Sequence, residues 1–101
     1  MSTKYEQGRR LEWAIKKDLE GKGYVCFRTA GSHGKADIIA AGRATSTLPG
    51  RTLYIQAKLN GVMSKADREA LKHVADLGDG TAILARREKV GRKYEIKYDI
   101  L

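Results

Sequence analysis

Apolar, strand-like residues surround two polar points in this chain, Ala36-Asp37-Ile38 and Tyr54-Ile55-Gln56-Ala57-Lys58. Side chains along a strand alternate between faces, so Gln56 and Lys58 point one way while Ile55 and Ala57 point the other. A fold that satisfies this pattern is a sheet with an apolar face, and Asp37 can meet Gln56 and Lys58 across it.

The rest of the chain supplies helices to cover such a sheet. From about Lys4 to Lys22, Leu11, Ile15 and Leu19 recur every four positions, which predicts an amphipathic helix ended by Gly21 and Gly23. Tyr24 to Thr29 reads as a strand and Ala30 to Gly34 as a loop. A second strand runs to about Ala41, Pro49-Gly50 lies in the return, and Thr52 to Lys58 is a third strand, the three forming an antiparallel meander. Ser64 with Asp67 has the form of a helix N-cap, and Ala66, Ala70, Leu71, Val74 and Leu77 supply an apolar stripe after it. Gly78-Asp79-Gly80 stops that helix, Thr81 to Ala85 is a short buried strand, and Lys93 to Ile100 is a last strand after a turn at Val90-Gly91-Arg92. The order is α-β-β-β-α-β-β, an α/β fold with a mixed central sheet flanked by helices. No repeat or linker divides it, so residues 1–101 form one domain.

That length buries roughly 60 to 65% of the unfolded surface. With 20 Lys and Arg against 12 Asp and Glu the formal charge is +8, which suits a polyanion, and nucleic acid is the first candidate. A membrane partner is not expected: no apolar run reaches spanning length, and the first helix carries acids as well as bases. The single Cys26 makes no internal disulfide and no zinc pattern with His33 and His73. A reducing cytoplasm is the expected compartment, that of the host if the protein is viral, and no signal peptide is visible.

A carboxylate on one strand, with a polar side chain and a lysine two apart on the next, suits metal-assisted hydrolysis of a phosphodiester. On Gly8 and Glu12, the run Gly23-Tyr24-Val25-Cys26-Phe27-Arg28-Thr29-Ala30-Gly31-Ser32, Asp37, and Gln56-Ala57-Lys58, the chain resembles the archaeal and phage Holliday junction resolvases of the restriction-endonuclease-like nuclease superfamily. The resemblance covers roughly Gln7 to Lys58. It implies a restriction-endonuclease-like core in which Glu12, Asp37 and Gln56 gather around magnesium, or manganese, with Lys58 beside the attacked phosphate. Magnesium takes oxygen ligands and retains waters, so a few protein oxygens suffice. The resemblance also makes Arg28 a phosphate contact or the partner of an acid.

The family pattern has Glu where this chain has Gln56, leaving two candidate anions instead of three and predicting weaker magnesium affinity. Three explanations stand: a variant that works with Gln, recruitment of Glu69 or Asp67 from the next helix, or a substitution that disables the site. Each residue also has a plainer reading. Asp37 can serve its own turn, Lys58 can guard an edge strand, and Glu12 can pair with Lys16 four residues on. Arg9, Arg10 and Trp13, lying largely off the apolar stripe, are expected near DNA, with Trp13 on a lysine stem as the alternative. Ser32 holds a phosphate or caps its loop, and His33 is given no role. Arg86, Arg87, Lys89, Arg92, Lys93 and Lys97 cluster about the last turn, where a positive patch tracks phosphates.

The expected function is a metal-dependent endodeoxyribonuclease that cuts four-way DNA junctions as a homodimer, because symmetric cleavage asks for two sites related by a twofold axis. The alternatives are a related nuclease for other DNA substrates and a non-catalytic DNA-binding module disabled at Gln56. An RNA-binding scaffold ranks last, since no aromatic platform motif is present.

Overall fold

The computed structural model describes residues 3–29, 36–46 and 48–101. Helix α1 spans Lys4–Gly21 and starts where Thr3 accepts the Glu6 amide at 3.1 Å, a side-chain cap for an otherwise unpaired donor. Its stripe folds inward as the spacing predicts: Leu11, Ile15 and Leu19 are all buried. Strands β1 (Val25–Arg28), β2 (Ile38–Gly42) and β3 (Arg51–Lys58) follow as an antiparallel meander. Helix α2 (Lys65–Leu77) carries the chain across to β4 (Thr81–Val90), parallel to β3, and β5 (Lys93–Ile100) returns antiparallel. The sheet order is β1-β2-β3-β4-β5.

Alternation along the strands gives each face of the sheet its own helix. Leu53 and Ile55 of β3, with Ile38, Ala40 and Ile83, pack against the stripe of α1. Tyr54 and Ile39 face the other way, toward Leu71 and Ala75 of α2. Gln56 and Lys58 therefore lie on the Tyr54 face, toward α2.

Two expectations and one plainer reading are corrected. The apolar stripe of α2 is narrower than predicted: Leu71 and Ala75 are buried, whereas Ala66 is exposed and Leu77 is 76% exposed at the helix end. The strand expected to stop at Ala85 runs on to Val90, because its distal half pairs with β5 and needs no apolar face to satisfy its backbone. Lys58 sits on the central strand and guards no edge. The Ser64 cap is as expected, its hydroxyl accepting the Asp67 amide at 3.1 Å.

Candidate active site

At one end of the sheet β1 finishes at Arg28, β2 begins after Asp37 and β3 finishes at Lys58. Groups from three adjacent strands and from α1 meet there. Thr29 fastens the geometry: its hydroxyl donates to the Ala36 carbonyl at 2.6 Å and its amide to the Asp37 carbonyl at 3.0 Å. These bonds tie together the two ends of the intervening segment, and they hold Asp37 at the mouth of β2.

Asp37 then reaches across to β3 twice. Its amide donates to the Ile55 carbonyl at 2.7 Å, and its Oδ2 accepts the Ala57 amide at 2.8 Å. The two bonds bracket Gln56. One carboxylate oxygen thus takes the place of a strand carbonyl, fixing the side chain against the end of the sheet. Burial raises the Asp37 pKa above the ordinary carboxylate value, opposed by the Ala57 hydrogen bond and by the charges of Lys58 and Arg28.

Glu12 comes from α1. Its Oε1 accepts from Arg28 Nε at 3.3 Å and Nη2 at 3.2 Å. Lys16 pairs instead with Glu20 at 3.0 Å, so the local helix pair expected for Glu12 does not form. Burial and then the neighbouring Asp37 charge raise the Glu12 pKa, while Arg28 and Arg9 lower it. The repulsion of Asp37 on Glu12 places the two carboxylates in one electrostatic neighbourhood, where Arg28 acts on both, Arg9 on Glu12 and Lys58 on Asp37.

The sequence predicts a third oxygen from Gln56, but Gln56 lies on the α2 face of the sheet whereas Glu12 comes from α1 on the other, and it neighbours Asp37 only through the Ala57 amide. The Gln56 Oε1 is buried and accepts no hydrogen bond, an arrangement that costs about 1–3 kcal/mol unless something electropositive sits against it. Carboxylate and amide oxygens are the ligand types a hard divalent cation takes, and here they approach the sheet end from both of its faces. Among the described residues no three His, Cys, Asp or Glu side chains gather in a metal-holding group; the candidate third ligand is an amide. Asp67, offered as a recruit, has its amide on the Ser64 cap of α2.

Trp13 lies beside this cluster, 48% exposed, with the Arg28 guanidinium 4.8 Å and the Lys16 ammonium 5.6 Å from its ring. Arg28 is thus the partner of an acid and of an aromatic at once. Arg9 acts on Glu12, whereas Arg10 faces away from it, toward β4 and β5. Ser32 and His33 lie outside the described residues. From sequence Thr29 carries no role of its own; its one signal is its place directly after Arg28. Cys26 is buried with its thiol pKa raised chiefly by burial, which leaves it inert.

No protein-family model and no curated protein matches the sequence. Among solved structures, the chain is similar to Hjc, a Holliday junction resolvase from the archaeal hyperthermophile Archaeoglobus fulgidus, with a TM-score of 0.69 and 24% identity over 90% of this chain and 73% of that one. The chain has the fold of that resolvase, a mixed five-stranded sheet with a helix on either side. No helix among the described residues is long and apolar enough to cross a membrane.

Proposed function

We propose that the chain is a divalent-metal-dependent endodeoxyribonuclease acting on branched DNA, with the four-way junction as its substrate and a homodimer as its working form. The observation that carries this reading is the Asp37 carboxylate, held by the Ala57 amide between Gln56 and Lys58 and sharing its field with Glu12. Likeness in fold to a Holliday junction resolvase supports it, as does the charge of +8.

In this reading Glu12, Asp37 and the Gln56 amide oxygen hold magnesium or manganese. When bound, the ion supplies positive charge to the scissile phosphate and acidifies a water. The protein's own residues do the rest. Lys58 neutralises the attacked phosphate or orients the water, and its charge also favours the Asp37 carboxylate. Arg28 holds Glu12 in place through two hydrogen bonds from one guanidinium. Raised carboxylate pKa values make ligation compete with protons, so metal binding strengthens as pH rises out of the acid range.

Cleavage of a labelled four-way junction beside a linear duplex of the same sequence tests the proposal, with magnesium, manganese or chelator, for this chain and Gln56→Glu. Symmetric, metal-dependent nicking confined to the junction is the expected result. Because the amide carries no full charge, a second reading stands on the same residue: a DNA-binding module whose cleavage is disabled. It predicts junction binding without cutting, and cutting by Gln56→Glu. Absence of junction preference in both proteins overturns the substrate assignment.

A further inference from the structure

The β3–β4 ladder ends at the pair Lys58 and Arg86, but β4 and β5 continue together through Arg87–Ile96, Glu88–Glu95, Lys89–Tyr94 and Val90–Lys93. Four residue pairs therefore stand beyond the sheet as a two-stranded ribbon, about 13 Å long at the usual rise per residue. A two-residue turn at Gly91 and Arg92 closes it, Gly91 adopting φ 64°. Since β3 and β4 are parallel, the ribbon leaves the sheet at the end where Asp37, Gln56 and Lys58 lie.

The two faces of the ribbon differ in charge. On one, the ions neutralise each other: Arg86 bonds Asp99 at 2.9 Å and approaches Glu88 at 3.5 Å, and Lys97 pairs with Glu95 at 3.0 Å. The opposite face carries Arg87, Lys89 and Tyr94. The Arg87 guanidinium lies 4.1 Å from the Tyr94 ring, and among the described residues neither Arg87 nor Lys89 has an acidic partner. This face borders a groove of about 320 Å³ against α1, lined by Leu11, Ala14 and Ile96 with Arg10 and with Glu95, whose charge Lys97 neutralises. An arginine stacked on a tyrosine keeps its planar donors fixed and its charge uncompensated, which suits phosphate oxygens. A two-stranded ribbon is also an element that fits a duplex groove.

We propose that the ribbon is a docking arm for duplex DNA, with Arg87, Lys89 and Arg10 gripping the phosphate backbone of one arm of the substrate while the carboxylate cluster addresses the strand to be cut. This rests on the nucleic-acid reading of the chain but not on its cleavage chemistry. The partner is double-stranded DNA.

The test is binding of a fluorescent four-way junction in chelator, followed by anisotropy across a salt series, for the wild type, Arg87→Ala/Lys89→Ala and Arg68→Ala/Lys72→Ala. Arg68 and Lys72 are exposed on α2, so the control pair removes the same charge elsewhere. Each lost phosphate contact removes about 0.9 from the slope of log K against log salt, so two losses weaken binding roughly 60-fold at 0.1 M salt and lower the slope by about two. The control pair is expected to bind within about threefold of the wild type, and the charge-keeping Arg87→Lys/Lys89→Arg to weaken binding far less than the alanine pair, with unchanged melting midpoints. Equal weakening by the control pair, or wild-type binding by the ribbon pair, overturns the docking arm; so does a conservative pair as weak as the alanine pair. A wild type that binds no DNA overturns both this inference and the proposed function. Ribbon-dependent binding without cleavage leaves the arm standing and refutes only the nuclease reading.

Discussion

The buried, unpartnered oxygen of Gln56 makes opposite forecasts for two substitutions of nearly the same size. Gln56→Met removes an acceptor that has no donor. Leaving such a group buried costs about 1–3 kcal/mol, so in chelator the Met variant gains about 1 kcal/mol, which for a domain of this length raises the melting midpoint by about 4–6 °C. Gln56→Glu adds a charge one residue from the Ala57 amide that holds the Asp37 carboxylate. Coulomb's law at an effective dielectric of about 20 gives roughly 3 kcal/mol for like charges at the ~5 Å usual between directly opposed cross-strand side chains. Lys58 and Arg28 offset part of that, so the Glu variant loses about 1–2 kcal/mol in chelator. Magnesium reverses the order: at a hundred times its dissociation constant a native-state ligand adds about 2.7 kcal/mol, available to the Glu variant and not to Met. Calorimetric melting of the three proteins in chelator and in magnesium reads all of this. If both variants move in the same direction in chelator, or if Met retains the stabilisation by magnesium seen in the wild type, Gln56 does not line a cation site.

Two further outcomes follow from the carboxylates. The folded-state pKa values of Asp37 and Glu12 are raised, chiefly by burial, so between the unfolded and folded values the native state holds more protons. Their stabilising contribution is full below the unfolded pKa and is lost as pH rises through the folded pKa. Urea unfolding in chelator is therefore expected to show stability falling with pH across that window, and Asp37→Asn to flatten the fall while abolishing cleavage; a slope unchanged by Asp37→Asn counts against the burial argument. For the ion pair, Arg28→Ala should cost about 1–3 kcal/mol, as for hydrogen bonds to charged groups, since both side chains are mostly sheltered, 19% and 25% exposed. A double-mutant cycle with Glu12→Gln should return a coupling above about 0.5 kcal/mol; additivity would show that the two side chains act independently.

Much of this was legible wherever the signal is local. The Leu11, Ile15, Leu19 stripe, the Ser64 cap and the antiparallel meander rest on spacing and short turns, and all three are in the structure. What escaped depends on partners far along the chain. Glu12 has a cation four residues away and takes Arg28, sixteen residues away, instead; the resemblance offers Arg28 as the partner of an acid, but which acid depends on α1 packing over the end of β1. Lys58 resembled an edge guard only because the parallel pairing of β3 with β4 spans a whole helix and leaves no mark in either strand. The outer half of β4 was missed because a projecting ribbon buries too little to show apolar alternation, its backbone being satisfied across the hairpin instead.

The parallel seam between β3 and β4 has a consequence for the integrity of the molecule. All four proposed site residues, Glu12, Asp37, Gln56 and Lys58, precede β4, so a chain cut after Gly80 keeps every one of them. Such a fragment would leave β3, eight residues long and carrying the fully buried Leu53 and Ile55, with an open row of amides and carbonyls along one side. Long apolar edges recruit further strands. The fragment is therefore expected to fail by self-association before its chemistry could be assayed, and residues 81–101 act in part as a built-in guard against polymerisation.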